Sequence, residues 1–160
     1  MSERYTAAIC MKGHFVDVAV ELNHGTVAKF CTDCGAPVMF TCPNCSSRLL
    51  GVPPGYYSPR MKPDSFCSEC GMPYPWANRE AIISHLKNLL LYNNSLDQAQ
   101  QLEVIEKLAI LATPEKPERD RVDAGKKIKS LVPSAWAVAM PVLQSVLTAE
   151  IRVKLGLPPN

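Results

Sequence analysis

Three Cys-x-x-Cys pairs, Cys31/Cys34, Cys42/Cys45 and Cys67/Cys70, fall within forty residues of one another. Two thiolates at this spacing come from one tight turn and can bind the same soft metal ion. The first and third pairs read CTDCG and CSECG, so Gly35 and Gly71 can take the positive φ that closes the turn and leaves backbone amides facing sulfur. Pro43 stiffens the turn in CPNC. Six thiolates do not divide into four-coordinate sites. The seventh cysteine, Cys10, stands in CMKGH, four residues before His14, and this spacing can present one sulfur and one imidazole nitrogen to one ion. Seven cysteines and His14 make eight ligands, hence two tetrahedral zinc sites, one with three thiolates and an imidazole and the other with four thiolates. The competing reading makes Cys10 a small core residue and His14 a surface histidine. The two-site reading is preferred because it leaves no thiol unexplained. His24, in ELNHGTV, is the substitute for His14, although its place before Gly25 reads as a hairpin turn.

Four pairs can share two ions in three ways. Sixteen residues separate the first two pairs and twenty-one the last two, lengths that suit a hairpin bringing two knuckles together, while seven separate the middle pairs. Consecutive pairing is favoured: Cys10, His14, Cys31 and Cys34 at one ion, and Cys42, Cys45, Cys67 and Cys70 at the other. An interleaved cross-brace is the alternative. A thioredoxin-type redox pair would need a βαβ setting, which none of these pairs has. Iron–sulfur ligation is open to eight ligands, yet knuckles followed by glycine suit zinc better. A catalytic zinc needs an open position; with both sites full, and no nucleophile–base pair legible, a non-catalytic protein is expected.

The elements that must position these ligands divide the 160 residues in two, since all seven cysteines lie between Cys10 and Cys70. Up to about Trp76 the chain carries short β-type runs, HFVDVAV, TVAKF and PVMF, punctuated by Gly and Pro. From Asn78, a plausible N-cap, the pattern turns helical, with Ile82, Ile83, Leu86, Leu89 and Leu90 on one face. A second helix is expected from a Ser95–Gln98 capping box, with Leu102, Ile105, Leu108 and Leu111 recurring. A third runs from about Glu118 to Val132, and a fourth from Pro141 to before Gly156. The expected fold class is α+β: tandem small zinc ribbons over 1–77, then an all-α domain of about four helices over 78–160. A ribbon half of this size cannot bury much without metal.

The run FCTDCGAPVMFTCPNC, then FCSECGMPYPW, with the earlier ICMKGH, resembles a bacterial family of uncharacterised zinc-ribbon proteins with a helical C-terminal region. The resemblance covers roughly residues 8 to 77 and implies tandem ribbons followed by a helical tail. It supplies no activity.

Charge and hydropathy narrow the partners. Residues 1–77 hold six Lys or Arg and six Asp or Glu, where a phosphate-gripping module normally shows a basic excess. Nucleic acid is therefore not the expected partner, although Tyr56, Tyr57, Arg60 and Lys62, on a proline-stiffened loop, could stack bases or grip a protein. The alternative is that the tyrosines cover the ribbon core. The most apolar stretch, 131–151, is broken by Pro133 and Pro141 and is a poor membrane span. No secretory signal is legible, so a cytoplasmic, thiol-reducing location is expected. His85 and Trp76 read as packing residues, Trp76 between ribbon and first helix, and Lys126, Lys127 and Lys129 as a solvated face. Val142, Leu143, Val146, Leu147, Ile151, Val153 and Leu155 surround their helix too widely for a single stripe, which points to a second buried face. The expected function is an interaction module binding an unidentified protein partner or, through its C-terminal helices, its own copy, with nucleic-acid binding as the alternative.

Overall fold

A computed structural model of the chain describes residues 3–24, 26–56, 61–92 and 95–158. The chain divides into two compact units, Met1–Ala77 and Asn78–Asn160.

The first unit is organised by one short strand. β1 (Ala8–Cys10) is wholly buried and pairs antiparallel with β2 (Phe15–Asp17) on one side and β3 (Val38–Met39) on the other. The chain just before β1 pairs elsewhere. Tyr5 N–H donates to the Val52 carbonyl at 2.9 Å, Ala7 N–H to that of Leu49 at 2.8 Å, and Gly51 N–H to that of Tyr5 at 2.7 Å. Residues 5–10 thus lie between the two ribbons and hydrogen-bond to both. Around them gather Ala7, Ile9, Cys42, Leu49, Cys67 and Tyr74, with Phe15, Met39, Cys70 and Trp76 packed alongside. Gly51 is squeezed here: a Cβ would stand 2.0 Å from the Val18 carbonyl oxygen.

Little of the expected strand content is regular. HFVDVAV is strand only over Phe15–Asp17, because the Asp17 carboxylate accepts the Ala19 N–H at 2.8 Å and turns the chain into a 3-10 turn, Val20–Asn23. His24 closes that turn at φ 51. TVAKF contributes only Phe30, bridged to Pro37.

Among its described residues the second unit has five helices: α1 (Arg79–Leu91), α2 (Gln98–Ala112), α3 (Glu118–Leu131), α4 (Pro133–Gln144) and α5 (Ala149–Lys154). Asn78 caps α1, its side chain accepting the Ala81 N–H at 2.7 Å. The capping box of α2 is Asp97–Gln100 rather than Ser95–Gln98. The spacing is the same two residues on, and a carboxylate adds a favourable charge at the helix N-terminus. Val104, Leu108 and Leu111 face the core, while Leu102 is exposed. The single fourth helix is two, because Pro133 already fills the first helical position and Pro141 lies inside α4. Without an N–H, Pro141 weakens the last turn, and α4 ends at Gln144. Gly156, at φ 70, follows the end of α5 as expected. The last carbonyls of α2 are taken by two guanidinium groups: Arg121, buried in α3, donates to Leu111 at 2.9 Å, and Arg79 donates to Ala112. Cations at a helix C-terminus complement its dipole. No helix among the described residues is long and apolar enough to cross a membrane.

Two substitutions test this packing from opposite sides. Gly51→Ala should destabilise the ribbon unit by about 1–3 kcal/mol or more, because its Cβ meets backbone rather than a movable side chain. Arg121→Ala should destabilise the helical unit by a comparable 1–3 kcal/mol or so, by stripping a buried carbonyl of its charged donor. Thermal unfolding, followed by segment-resolved hydrogen exchange, separates the two.

Candidate metal centres

Each Cys-x-x-Cys pair sits in the same local structure. The N–H of the first cysteine donates to the carbonyl five residues on: Cys31 to Ala36 at 2.9 Å, Cys42 to Ser47 at 2.7 Å, and Cys67 to Met72 at 2.9 Å. The residue after the second cysteine donates back to the first, from Gly35, Ser46 and Gly71. That residue has φ of 70, 61 and 69 in the three turns, as the glycines foreshadow, with Ser46 accepting the left-handed conformation at some cost. A bridge closes each turn: Phe30 to Pro37, Thr41 to Arg48, and Phe66 to Pro73. The CMKGH turn differs in having one more residue between its ligands. Gly13, at φ 85, donates to the Cys10 carbonyl at 2.8 Å, and His14 N–H donates to Cys10 Sγ at 3.3 Å. Gly13 has no room for a side chain, because a Cβ would lie 2.8 Å from Cβ of Trp76.

The folded turns bring the ligands together as two groups of four, Cys10, His14, Cys31 and Cys34, then Cys42, Cys45, Cys67 and Cys70. Within each group all ligand atoms lie within 4.8 Å of one another. The grouping is consecutive along the chain. Cys10 Sγ is 3.6 Å from His14 Nδ1 and 3.8 Å from Cys34 Sγ, and Cys31 Sγ is 3.7 Å from the same nitrogen. In the other group Cys42 and Cys70 are 3.8 Å apart, and Cys45 and Cys67 are 3.7 Å apart. A tetrahedron with zinc–sulfur bonds of roughly 2.3 Å and zinc–nitrogen bonds of roughly 2.0–2.1 Å has edges of about 3.8 Å between sulfurs and about 3.6 Å from sulfur to nitrogen. The donor sets fit zinc in kind and in spacing, and the sulfur separations are far beyond a disulfide bond of about 2.05 Å. His24 belongs to neither group.

The surroundings act on the thiols in both directions, drawing Cys10, Cys45 and Cys67 down and pushing Cys34 and Cys42 up. Burial works to push Cys67 up, but the Ser47 hydroxyl, the backbone amides of Cys70 and Glu69, and the Tyr74 hydroxyl together bring it down to about 5. Cys10 is brought down to about 7 against the same burial, chiefly by the His14 and Lys12 amides. Cys42 goes the other way, to about 11, because burial outweighs the amides of Cys45 and Asn44. Ser47 Oγ lies 3.1 Å from Cys45 Sγ and 3.2 Å from Cys67 Sγ, so its one hydroxyl proton is within reach of either sulfur. Tyr74 stacks on Trp76 with ring centroids 4.9 Å apart, and Trp76 Nε1–H donates to the Asp64 carbonyl at 2.8 Å. Trp76 thereby spans from the segment behind the second group to the Gly13 turn of the first.

Ser46, Ser47 and Tyr74 were not singled out from the sequence. CPNCSS carries the signal: its first serine stands where the other knuckles have glycine, and its second lies where a hydroxyl can turn back on sulfur. Of the proline-stiffened loop, Tyr56 and Lys62 are exposed, while Tyr57 and Arg60 lie outside the described residues. His85 is half-buried on α1. Lys127 pairs with Glu103 at 3.3 Å, in keeping with a solvated face.

A family model matches residues 3–147, described as an uncharacterized protein conserved in bacteria (DUF2321). No curated protein and no solved structure gives a match.

Elemental analysis of protein purified without added metal should give two zinc ions per chain, one for each group. Cys10→Ala or His14→Ala should lower that to one, and the ion that stays at Cys42, Cys45, Cys67 and Cys70 should be lost to a chelator sooner than from the parent chain, because the segment ending at Cys10 places Ala7 and Ile9 in the core that Cys42, Cys67 and Cys70 join. A ratio near one in the parent chain would contradict the eight-ligand assignment.

Proposed function

The chain belongs to this bacterial family, and we propose that it works without catalysis, as a zinc-stabilised interaction protein of the cytoplasm. In this reading the ribbon unit is a rigid platform, and the helical unit takes part in binding a partner protein or a second copy. The observation that carries it is that all eight ligands fall into two groups of four. An ion in either group would have every tetrahedral position filled by protein, leaving none for water or substrate.

Two further observations support a protein partner. The ribbon unit carries equal numbers of cationic and anionic side chains, so it has little with which to displace counterions from a phosphate backbone. In the helical unit a groove of about 430 Å³ lies between α1 and α4, lined by Leu89, Tyr92, Ala135 and Val138 among others. The apolar run at 142–155 supports self-association less than its composition suggests. Val142, Leu143, Val146, Leu147, Ile151 and Leu155 are buried in the unit's own fold, and only Val153 is exposed. The break into α4 and α5 is what lets so many apolar positions turn inward.

Cross-linking in native cells, read by mass spectrometry, should join this chain to another protein or to a second copy. Fluorescence anisotropy with labelled single- and double-stranded probes should show binding no tighter than the roughly 10⁻⁴–10⁻⁶ M of non-specific contacts at physiological salt. Tight binding that weakens steeply with salt would overturn the reading in favour of a nucleic-acid-binding ribbon.

A further inference from the structure

The two groups of ligands differ in what they show to solvent. Taken in chain order, each group buries its first and third ligands, half-buries its fourth and exposes its second. In the first group the exposed ligand is His14. In the second it is Cys45, the one exposed cysteine of the seven. The other residues of its turn, Pro43, Asn44 and Ser46, are exposed too, and the bridge that closes the turn joins Thr41 to Arg48, both exposed. In the third knuckle the same bridge is made by the half-buried Phe66 and Pro73.

Exposure decides reactivity here because metal binding removes the other variable. A thiol that coordinates zinc is held deprotonated, and susceptibility to oxidants follows thiolate character and access. Seven coordinated sulfurs would share the first property, and Cys45 alone has the second in full. At the matching position of the first group an imidazole offers no sulfur to oxidise.

We infer that Cys45 is a site of oxidation by hydrogen peroxide, and that this oxidation releases metal from the second group while the first keeps its own. The Cys45 sulfur attacks one peroxide oxygen and breaks the O–O bond, which yields a sulfenic acid and a hydroxide ion. A second thiolate of the group then attacks that sulfur and expels the other hydroxide, closing a disulfide. Cys67 Sγ is 3.7 Å away, buried from an external oxidant yet within reach of Cys45, and all four sulfurs lie within 4.8 Å of one another. Two thiolates together lose two electrons, and the peroxide is reduced to two hydroxide ions. With two of its four ligands joined in a disulfide, the group no longer holds an ion. Cys42 and Cys67 share their core with Ala7 and Ile9, so the change reaches the segment between the ribbons. The inference goes beyond the interaction reading and stands or falls without it, since it uses only the ligand assignment.

The test treats the full-length, zinc-loaded chain with equimolar hydrogen peroxide, followed by native mass spectrometry and by peptide mapping after alkylation. The chain should lose one zinc ion and two hydrogens, and the new disulfide should contain Cys45. Cys10, Cys31 and Cys34 should remain free thiols, and a thiol reductant with added zinc should restore the ion. Cys45→His gives the second group the donor set of the first, so this variant should hold two ions and keep both in peroxide. His14→Cys should make the first group sensitive as well. Should either variant hold fewer than two ions beforehand, mapping of the parent chain decides alone. A first disulfide that lacks Cys45, simultaneous loss of both ions, or zinc retained while peroxide is consumed would overturn the inference. So would a two-ion Cys45→His chain that loses metal as readily as the parent.

Discussion

Two groups of four ligands, delivered by four short turns and each spaced to hold one metal ion, are the constraint around which the ribbon unit is built. Among the described residues its regular secondary structure amounts to three strands of two or three residues and a single 3-10 turn, and its core is a handful of side chains around Ile9, Leu49 and Tyr74. Ordering each backbone residue costs about 1–2 kcal/mol, which so small an apolar cluster cannot offset. Structural zinc binding contributes roughly 10–16 kcal/mol in comparable small domains. Two such ions are of the right magnitude to fold this unit, whereas hydrophobic burial alone is not.

The unit packs as one body although its ligands are grouped consecutively. Two consecutive sites could have made two independent beads. Here the segment 5–10 enters between them, bonded to Leu49 and Val52 on one side and to β2 and β3 on the other, and ends at a ligand, Cys10. The indole of Trp76 adds a second tie, resting on Gly13 while its N–H holds Asp64. Loss of an ion from one group is therefore expected to loosen the other, a coupling that ligand order alone would have assigned to a cross-brace.

The ligands were legible because a metal knuckle is a local object: two cysteines, a fixed spacing and a residue of positive φ are all in the sequence. The same locality made Gly35 and Gly71 readable, whereas Ser46 announces its left-handed conformation only by standing where the other two knuckles have glycine. Long-range features were not legible. Nothing in AAIC announces the buried central strand, because its importance comes from what packs on both sides of it. In the helical half, Asn78 and the extent of α3 follow from caps and periodicity. The start of α2 moved to Asp97 and the last helix split in two, because competing capping residues and two prolines each offered a locally reasonable boundary. Tertiary packing chose between them.

Hydrogen exchange read by mass spectrometry, before and after zinc removal verified by elemental analysis, tests the central claim most directly. The account predicts that stripping the metal abolishes protection in peptides covering Tyr5–Cys10 and Leu49–Val52, whose amides are bonded across the two ribbons. Peptides from α2 and α3, packed on their own core of Val104, Leu108, Leu111 and Ile128, keep theirs. Undiminished protection of Tyr5–Cys10 in metal-free protein would contradict it.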